Sequence, residues 1–77
     1  MLSEQNIRDA IANAVLNFDS MTLDPKMDFV DAGLDSLDLS SVLLELQEHQ
    51  GFDVPDEDVD KCTSIQAMLD YAASRGN

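Results

Sequence analysis

A serine or cysteine nucleophile needs a base within hydrogen-bond reach, and this chain holds a single histidine with which to supply one. His49 is expected on the same helix as Ser36, about three and a half turns further on. At about 1.5 Å per residue the two are roughly 20 Å apart, and no Ser-His pair forms. Cys62 has Lys61 as its only basic neighbour and no histidine beside it in sequence. It reads as a small residue at a helix boundary. One histidine and one cysteine do not assemble a zinc site. The acid-rich stretches do not make a calcium loop either, which wants acids at its first, third and fifth positions, glycine at the sixth and Glu at the twelfth. Counting from Asp31 puts Gly33 third and Ser36 sixth; counting from Asp53 puts Pro55 third and Asp58 sixth. No metal site is expected.

What the chain does offer is a serine placed for modification. In Asp31-Ala32-Gly33-Leu34-Asp35-Ser36-Leu37-Asp38, Gly33 permits a turn that other residues resist. Asp35 caps a helix start by accepting from the orphan N–H groups beyond it. Asp38 falls at the third helical position, where an acid suits the positive end of the dipole. Ser36 then takes the first helical position, with its hydroxyl in solvent. Free N–H groups and the dipole make that spot receptive to phosphate, so a phosphodiester can be held there. By spacing alone Ser36 is as readily a second capping residue, since serines are common at helix starts.

Four helices are expected to position it. Ser3 caps the first, which runs from about Ser3 to Asn17. Ile7, Ile11, Ala14, Val15 and Phe18 form its inner face; Gln5, Arg8, Asp9 and Asn13 lie on the outer one. The long connection from Asp19 to Asp35 carries Met21, Leu23, Met27, Phe29, Val30 and Leu34, and that apolar content should pack it over the helices. The second helix runs from Ser36 to about His49 and has two stripes. Leu39, Val42, Leu43 and Leu46 make the core side. Leu37, Ser41 and Leu44 share another face, flanked by Asp38, Glu45 and Glu48, as in a binding face with a polar rim. Gly51 ends this helix. Pro55 opens a short third helix through Asp60, with its acids in solvent and Val54 and Val59 inward. Thr63 and Gln66 form a capping box for the last helix. That helix buries Ile65, Met68, Leu69 and Ala72 and ends near Ser74, with Arg75-Gly76-Asn77 frayed. The fold class is all-α: a small four-helix bundle, three longer helices and one short, with a long ordered loop between the first two, in one domain over residues 1–77.

Composition narrows the function. A chain of 77 residues buries only about 60% of its unfolded surface, too little to enclose a deep active site. Sixteen acids against four bases give a formal net charge of -12, and between Met27 and Asp60 lie eleven acids and no lysine or arginine. Such a surface repels nucleic acid and anionic membranes and steers toward basic patches on other proteins. No apolar run approaches membrane-spanning length, and the start of the chain lacks the charged-then-apolar pattern of a secretion signal. Cys62 has no partner for an intrachain disulfide. A cytosolic (cytoplasmic) monomer is the expectation.

The run Gly33-Leu34-Asp35-Ser36-Leu37-Asp38 resembles the prosthetic-group site of acyl carrier proteins, whose Asp-Ser-Leu serine carries 4′-phosphopantetheine. Phe29-Val30 upstream, Val54-Pro55-Asp56-Glu57 after the long helix, Thr63-Ser64-Ile65-Gln66-Ala67 and Asp70-Tyr71 extend the resemblance over roughly residues 3 to 73. It implies a carrier and not a catalyst. A phosphopantetheinyl transferase would move the arm from coenzyme A to Ser36, between Asp35 and Leu37, and the arm's thiol would hold an acyl group as a thioester. Asp35 and Asp38 would help dock the transferase. Leu37, Asp38, Ser41, Leu44, Glu45 and Glu48 would face that enzyme and the acyl-handling enzymes, through their basic patches. Leu39, Leu43, Leu46, Val54, Val59 and Met68 would line an apolar space for the acyl chain between the second and third helices.

Three positions depart from the family's usual pattern. Ser41 stands where an acid is common, Gln50 where an aromatic is common (Phe52 follows two residues later), and Leu39 where a small or polar residue is common. They point to a specialised lipid or polyketide pathway at least as much as to fatty-acid synthesis. A peptidyl or aminoacyl carrier of a nonribosomal-peptide pathway is an alternative, and so is an acidic helical interaction module that carries nothing.

Overall fold

A computed structural model describes residues 2–75. Helix α1 spans Glu4–Ala14, α2 Ser36–Gln50 and α3 Ile65–Ser74, with a 3₁₀ helix, Asp56–Lys61, between α2 and α3. No strand occurs among the described residues. The expected small four-helix bundle is the observed architecture. α1 packs against both α2 and α3, and the 3₁₀ helix packs against α3.

Each start obeys local rules, with one displaced by a residue. Ser3 caps α1, accepting from the Asn6 N–H at 3.1 Å, while Asn6 Oδ1 accepts the Ser3 N–H at 3.0 Å. Ile7 and Ile11 are closed off completely. The helix stops at Ala14 and not at Asn17: Val15 is already extended, and Asn17 sits at φ 63, in the left-handed region that asparagine tolerates better than most residues. Val15 and Phe18 still pack against the core, but from an extended turn. The cap of α3 is Ser64, which accepts from the Ala67 N–H at 3.0 Å; Thr63 does not take that role. The Thr63 carbonyl is engaged by the Phe29 N–H at 2.8 Å, and Gln66 bonds Asp70 at 3.0 Å in place of closing a box. The short third helix is 3₁₀ and none of its residues is fully buried.

The connection between α1 and α2 is ordered over the bundle, but only half its apolar residues face inward. Leu23, Phe29 and Leu34 are buried, while Met21, Met27 and Val30 are exposed. Its second half is tied to the α3 region by the Phe29–Thr63 bond and by the Gln66 N–H donating to the Pro25 carbonyl at 2.8 Å. Its first half is tied by a residue expected in solvent. Arg8 is buried, donating from one guanidinium nitrogen to the Ser20 and Leu23 carbonyls and from the others to Glu4 at 3.0 and 2.9 Å. A guanidinium has donors enough to satisfy two loop carbonyls and a carboxylate together.

The inner stripe of α3 is Ile65, Met68, Tyr71 and Ala72, with Leu69 only half-buried. Tyr71 packs edge-on against Phe52, ring centroids 6.1 Å apart at 82°. Cys62 is fully buried after the 3₁₀ helix; burial, reinforced by the charge of Asp58, pushes its thiol up to about 11. Arg75, expected to fray, lies over the Tyr71 ring at 5.4 Å from its centroid. Gly76 and Asn77 lie outside the described residues.

Candidate functional site

The turn at residues 28–35 ends on a residue conformation that needs glycine: Gly33 has φ 103. The Leu34 N–H returns to the Phe29 carbonyl at 2.9 Å, and Leu34 and Phe29 are both buried. These anchors fix where α2 begins. Asp35 is its cap, accepting from the Asp38 N–H at 2.8 Å, and Asp38 accepts the Asp35 N–H at 3.3 Å. The two acids flanking the serine are thus engaged with the helix mouth.

Ser36 is the first residue of α2 and is exposed, as is Leu37. Its hydroxyl makes no hydrogen bond among the described residues. The backbone N–H groups of Ser36 and Leu37 belong to the first turn, which has no carbonyl upstream within the helix to bond. A phosphodiester on Ser36 Oγ therefore displaces no protein contact and meets free donors at the positive end of the helix. The residues present fit a phosphopantetheine arm at this position.

The face of α2 running from the serine is exposed along its length. Leu37, Ser41, Leu44 and Glu48 recur at four, three and four residues and all face solvent, with Leu37 76% and Leu44 54% exposed. Asp38 and Glu45 flank them half-buried, and Glu45 pairs with His49 at 3.1 Å. Val42 and Leu46 point the other way and are buried.

The residues expected to line an apolar pocket divide. Leu43, Val54 and Val59 line an open groove of about 320 Å³ between α2 and the 3₁₀ helix. Leu46 and Met68 are closed into the core, and Leu39 is half-buried outside the groove's lining.

Beside this groove lies a polar cluster that the sequence reading missed. The Tyr71 hydroxyl donates to Asp58 at 2.6 Å and accepts from Arg75 at 2.7 Å. Lys61 approaches Asp58 at 3.3 Å and Arg75 approaches it at 4.0 Å. The Tyr71 bond, then Lys61 and Arg75, hold the Asp58 carboxyl below its ordinary range, and the bond to Asp58 holds the Tyr71 hydroxyl above its own. Asp58 is therefore not part of an all-solvent acidic face. The four-residue step from Tyr71 to Arg75 was a visible signal for their stacking; the pairing with Asp58 had none.

Of the four bases, Arg8, Lys61 and Arg75 each face a carboxylate on this fold. The acids of α2 and the segments around it meet no lysine or arginine of their own stretch. Screening should therefore stabilise the fold. The melting temperature is expected to rise between low salt and about 0.3 M, roughly twice physiological ionic strength. A flat or falling value would show that the carboxylates do not repel.

Among the described residues, no cluster of three or more His, Cys, Asp or Glu is placed to hold a metal ion. No helix of the described residues is long and apolar enough to cross a membrane.

Comparison with known proteins bears on this geometry. A family model described as a phosphopantetheine attachment site matches residues 7–72. Among curated proteins, "Acyl carrier protein 2, mitochondrial" of Arabidopsis thaliana is 39% identical over 77 residues, covering 95% of this chain and 61% of that protein. "Acyl carrier protein, mitochondrial" of Dictyostelium discoideum is 36% identical over 73 residues, covering 91% and 61%. The chain thus spans 61% of the length of these relatives. Their names overturn the cytosolic expectation, since both are mitochondrial proteins. A lone cysteine records only a missing disulfide partner, which does not tell one compartment from another.

Proposed function

This chain belongs to the phosphopantetheine-binding acyl carrier protein family, and we propose that it carries fatty-acyl groups on an arm attached to Ser36. Members of the family carry and do not catalyse, and 4′-phosphopantetheine is their cofactor. The observation that carries the assignment to Ser36 is its position: exposed, first in α2, after a turn that Gly33 and Asp35 hold in place.

The arm supplies a thiol able to hold an acyl group as a thioester, a bond no group of this chain is placed to make. The one cysteine is buried, with its thiol pushed up to about 11. The chain's own residues do three things. Asp35 and Asp38 hold the helix mouth open to solvent at Ser36. Leu37, Ser41, Leu44 and Glu48, with Asp38 and Glu45 beside them, offer an apolar strip within an acidic rim to the transferase and to acyl-handling enzymes with basic patches. Leu43, Val54 and Val59 give an acyl chain a groove to rest in.

The two relatives are named acyl carrier proteins and mitochondrial, which supports an acyl cargo over an aminoacyl one; a fatty-acyl group is the cargo we propose. The test is loading. Holo chain should accept medium and long acyl groups from fatty-acid-type transferring enzymes. Preferential acceptance of aminoacyl groups from an adenylating enzyme would replace the proposal with a peptidyl carrier.

A further inference from the structure

We propose that the groove between α1 and α2 receives an arginine side chain of a protein docked on the outward strip of α2. The proposal rests on the reading of that strip as a docking face. The groove lies on the α1 side of α2, away from the 3₁₀ helix, and holds about 230 Å³. Ala10 and Leu46, both buried, form its floor. Asp9 and Asn13 stand on its α1 wall, Glu45 and His49 on its α2 wall. An apolar floor between polar walls suits a side chain with a methylene stem and a charged end.

The sign of that charge follows from what the chain leaves unanswered. Arg8 is the only base of α1, and it is turned to Glu4 and to the Ser20 and Leu23 carbonyls. Helix α2 contains no lysine or arginine. One oxygen of Asp9 accepts from Gln5 at 2.8 Å, and one oxygen of Glu45 lies 3.1 Å from His49 Nε2. Among the described residues, the second oxygen of each carboxylate has no hydrogen-bond partner. Acceptors on two walls call for donors that diverge from one another. A guanidinium presents five N–H groups in a planar fork, whereas an ammonium is a compact, strongly hydrated point charge.

The groove adjoins the strip. Glu45 is a wall of the one and the rim of the other. A protein seated on Leu37 and Leu44 therefore has the groove at its margin, and an arginine at its edge reaches across Glu45 toward Asp9. Helix α1 thus takes part in recognition beside α2, and charges at such a margin act on partner choice and encounter.

Two measurements on the full chain test this. In the first, the ¹⁵N-labelled unmodified chain is titrated with N-acetyl-arginine N-methylamide at constant ionic strength, with the lysine counterpart as control. Saturable shifts should appear at the amides of residues 9–13 and 45–49, and the lysine compound should bind more weakly. Asp9→Asn should weaken arginine binding about two- to fivefold, the scale of an exposed ion pair. In the second, loading of Asp9→Asn by the transferase and by an acyl-transferring enzyme should show a KM raised by a similar factor in at least one case, with kcat unchanged. Asp9 is exposed and outside the α1 cap; Glu45→Gln decides the question should Asp9→Asn fail to fold. Unsaturable shifts spread over all the acidic stretches, equal binding of the lysine compound, or an unchanged KM with both enzymes would overturn the proposal. Leu44→Ala tests the strip separately. A normal KM for Leu44→Ala beside a raised one for Asp9→Asn would remove the strip and retain the groove.

Discussion

Ser36→Ala is expected to take up no phosphopantetheine, while the unaltered chain gains one arm. The incubation contains coenzyme A, magnesium and a transferase of broad specificity, and intact mass gives the answer. The effect is all-or-none because the arm needs an exposed hydroxyl beside free N–H donors, and Ser36 supplies it without breaking any side-chain contact. For the same reason the substitution should leave the fold intact. The cap of α2 is Asp35, not Ser36, and alanine is the best helix former at an exposed helical position. Helical circular dichroism should be unchanged. Modification that persists in Ser36→Ala would move the attachment site to another residue. A chain that takes no arm in either form would leave the helical interaction module as the surviving reading.

Leu46→Ala should destabilise the protein by about 2–5 kcal/mol, whereas Leu44→Ala should change stability by no more than about 0.5 kcal/mol. The two residues are neighbours on α2 and differ in what surrounds them. Leu46 is 1% exposed and packed in the core; Leu44 is 54% exposed. Removing Leu46 leaves a cavity that its neighbours only partly fill. A domain of this size has about 5–15 kcal/mol of stability at most, so the loss is a large fraction of the whole. Leu44→Ala should instead slow loading by the transferase or by an acyl-transferring enzyme. Glu48→Lys, on the rim of the same face, should lower the association rate and flatten its salt dependence, because rim charges act mainly on encounter. Chemical denaturation of each variant, followed by loading kinetics, reads both effects. Equal destabilisation by Leu44→Ala and Leu46→Ala would mean that the outward face of α2 is not a docking surface.

The site was legible in the sequence where its geometry depends on near neighbours. Gly33 in a turn, Asp35 capping α2, Ser36 at its first position and Gly51 at its left-handed end are consequences of three or four consecutive residues. The division of α2 into an outward strip through Leu37 and Leu44 and an inward one through Val42 and Leu46 follows from helical periodicity. Tertiary structure decided the rest. Arg8 has the local pattern of a solvent-facing residue, yet it is buried because two loop carbonyls far along the chain need donors. Thr63 yields the cap to Ser64, its carbonyl serving the Phe29 amide from the long loop. Met21, Met27 and Val30 are as apolar as Leu23, Phe29 and Leu34, and no periodicity in an irregular loop sorts the exposed set from the buried one. Asp58 sits among identical-looking acids, and only the approach of α3 gives it Tyr71 as a partner. Caps and turns are settled by atoms a few bonds away, so the residue order determines them; burial and long-range pairing depend on which surfaces the folded chain brings together.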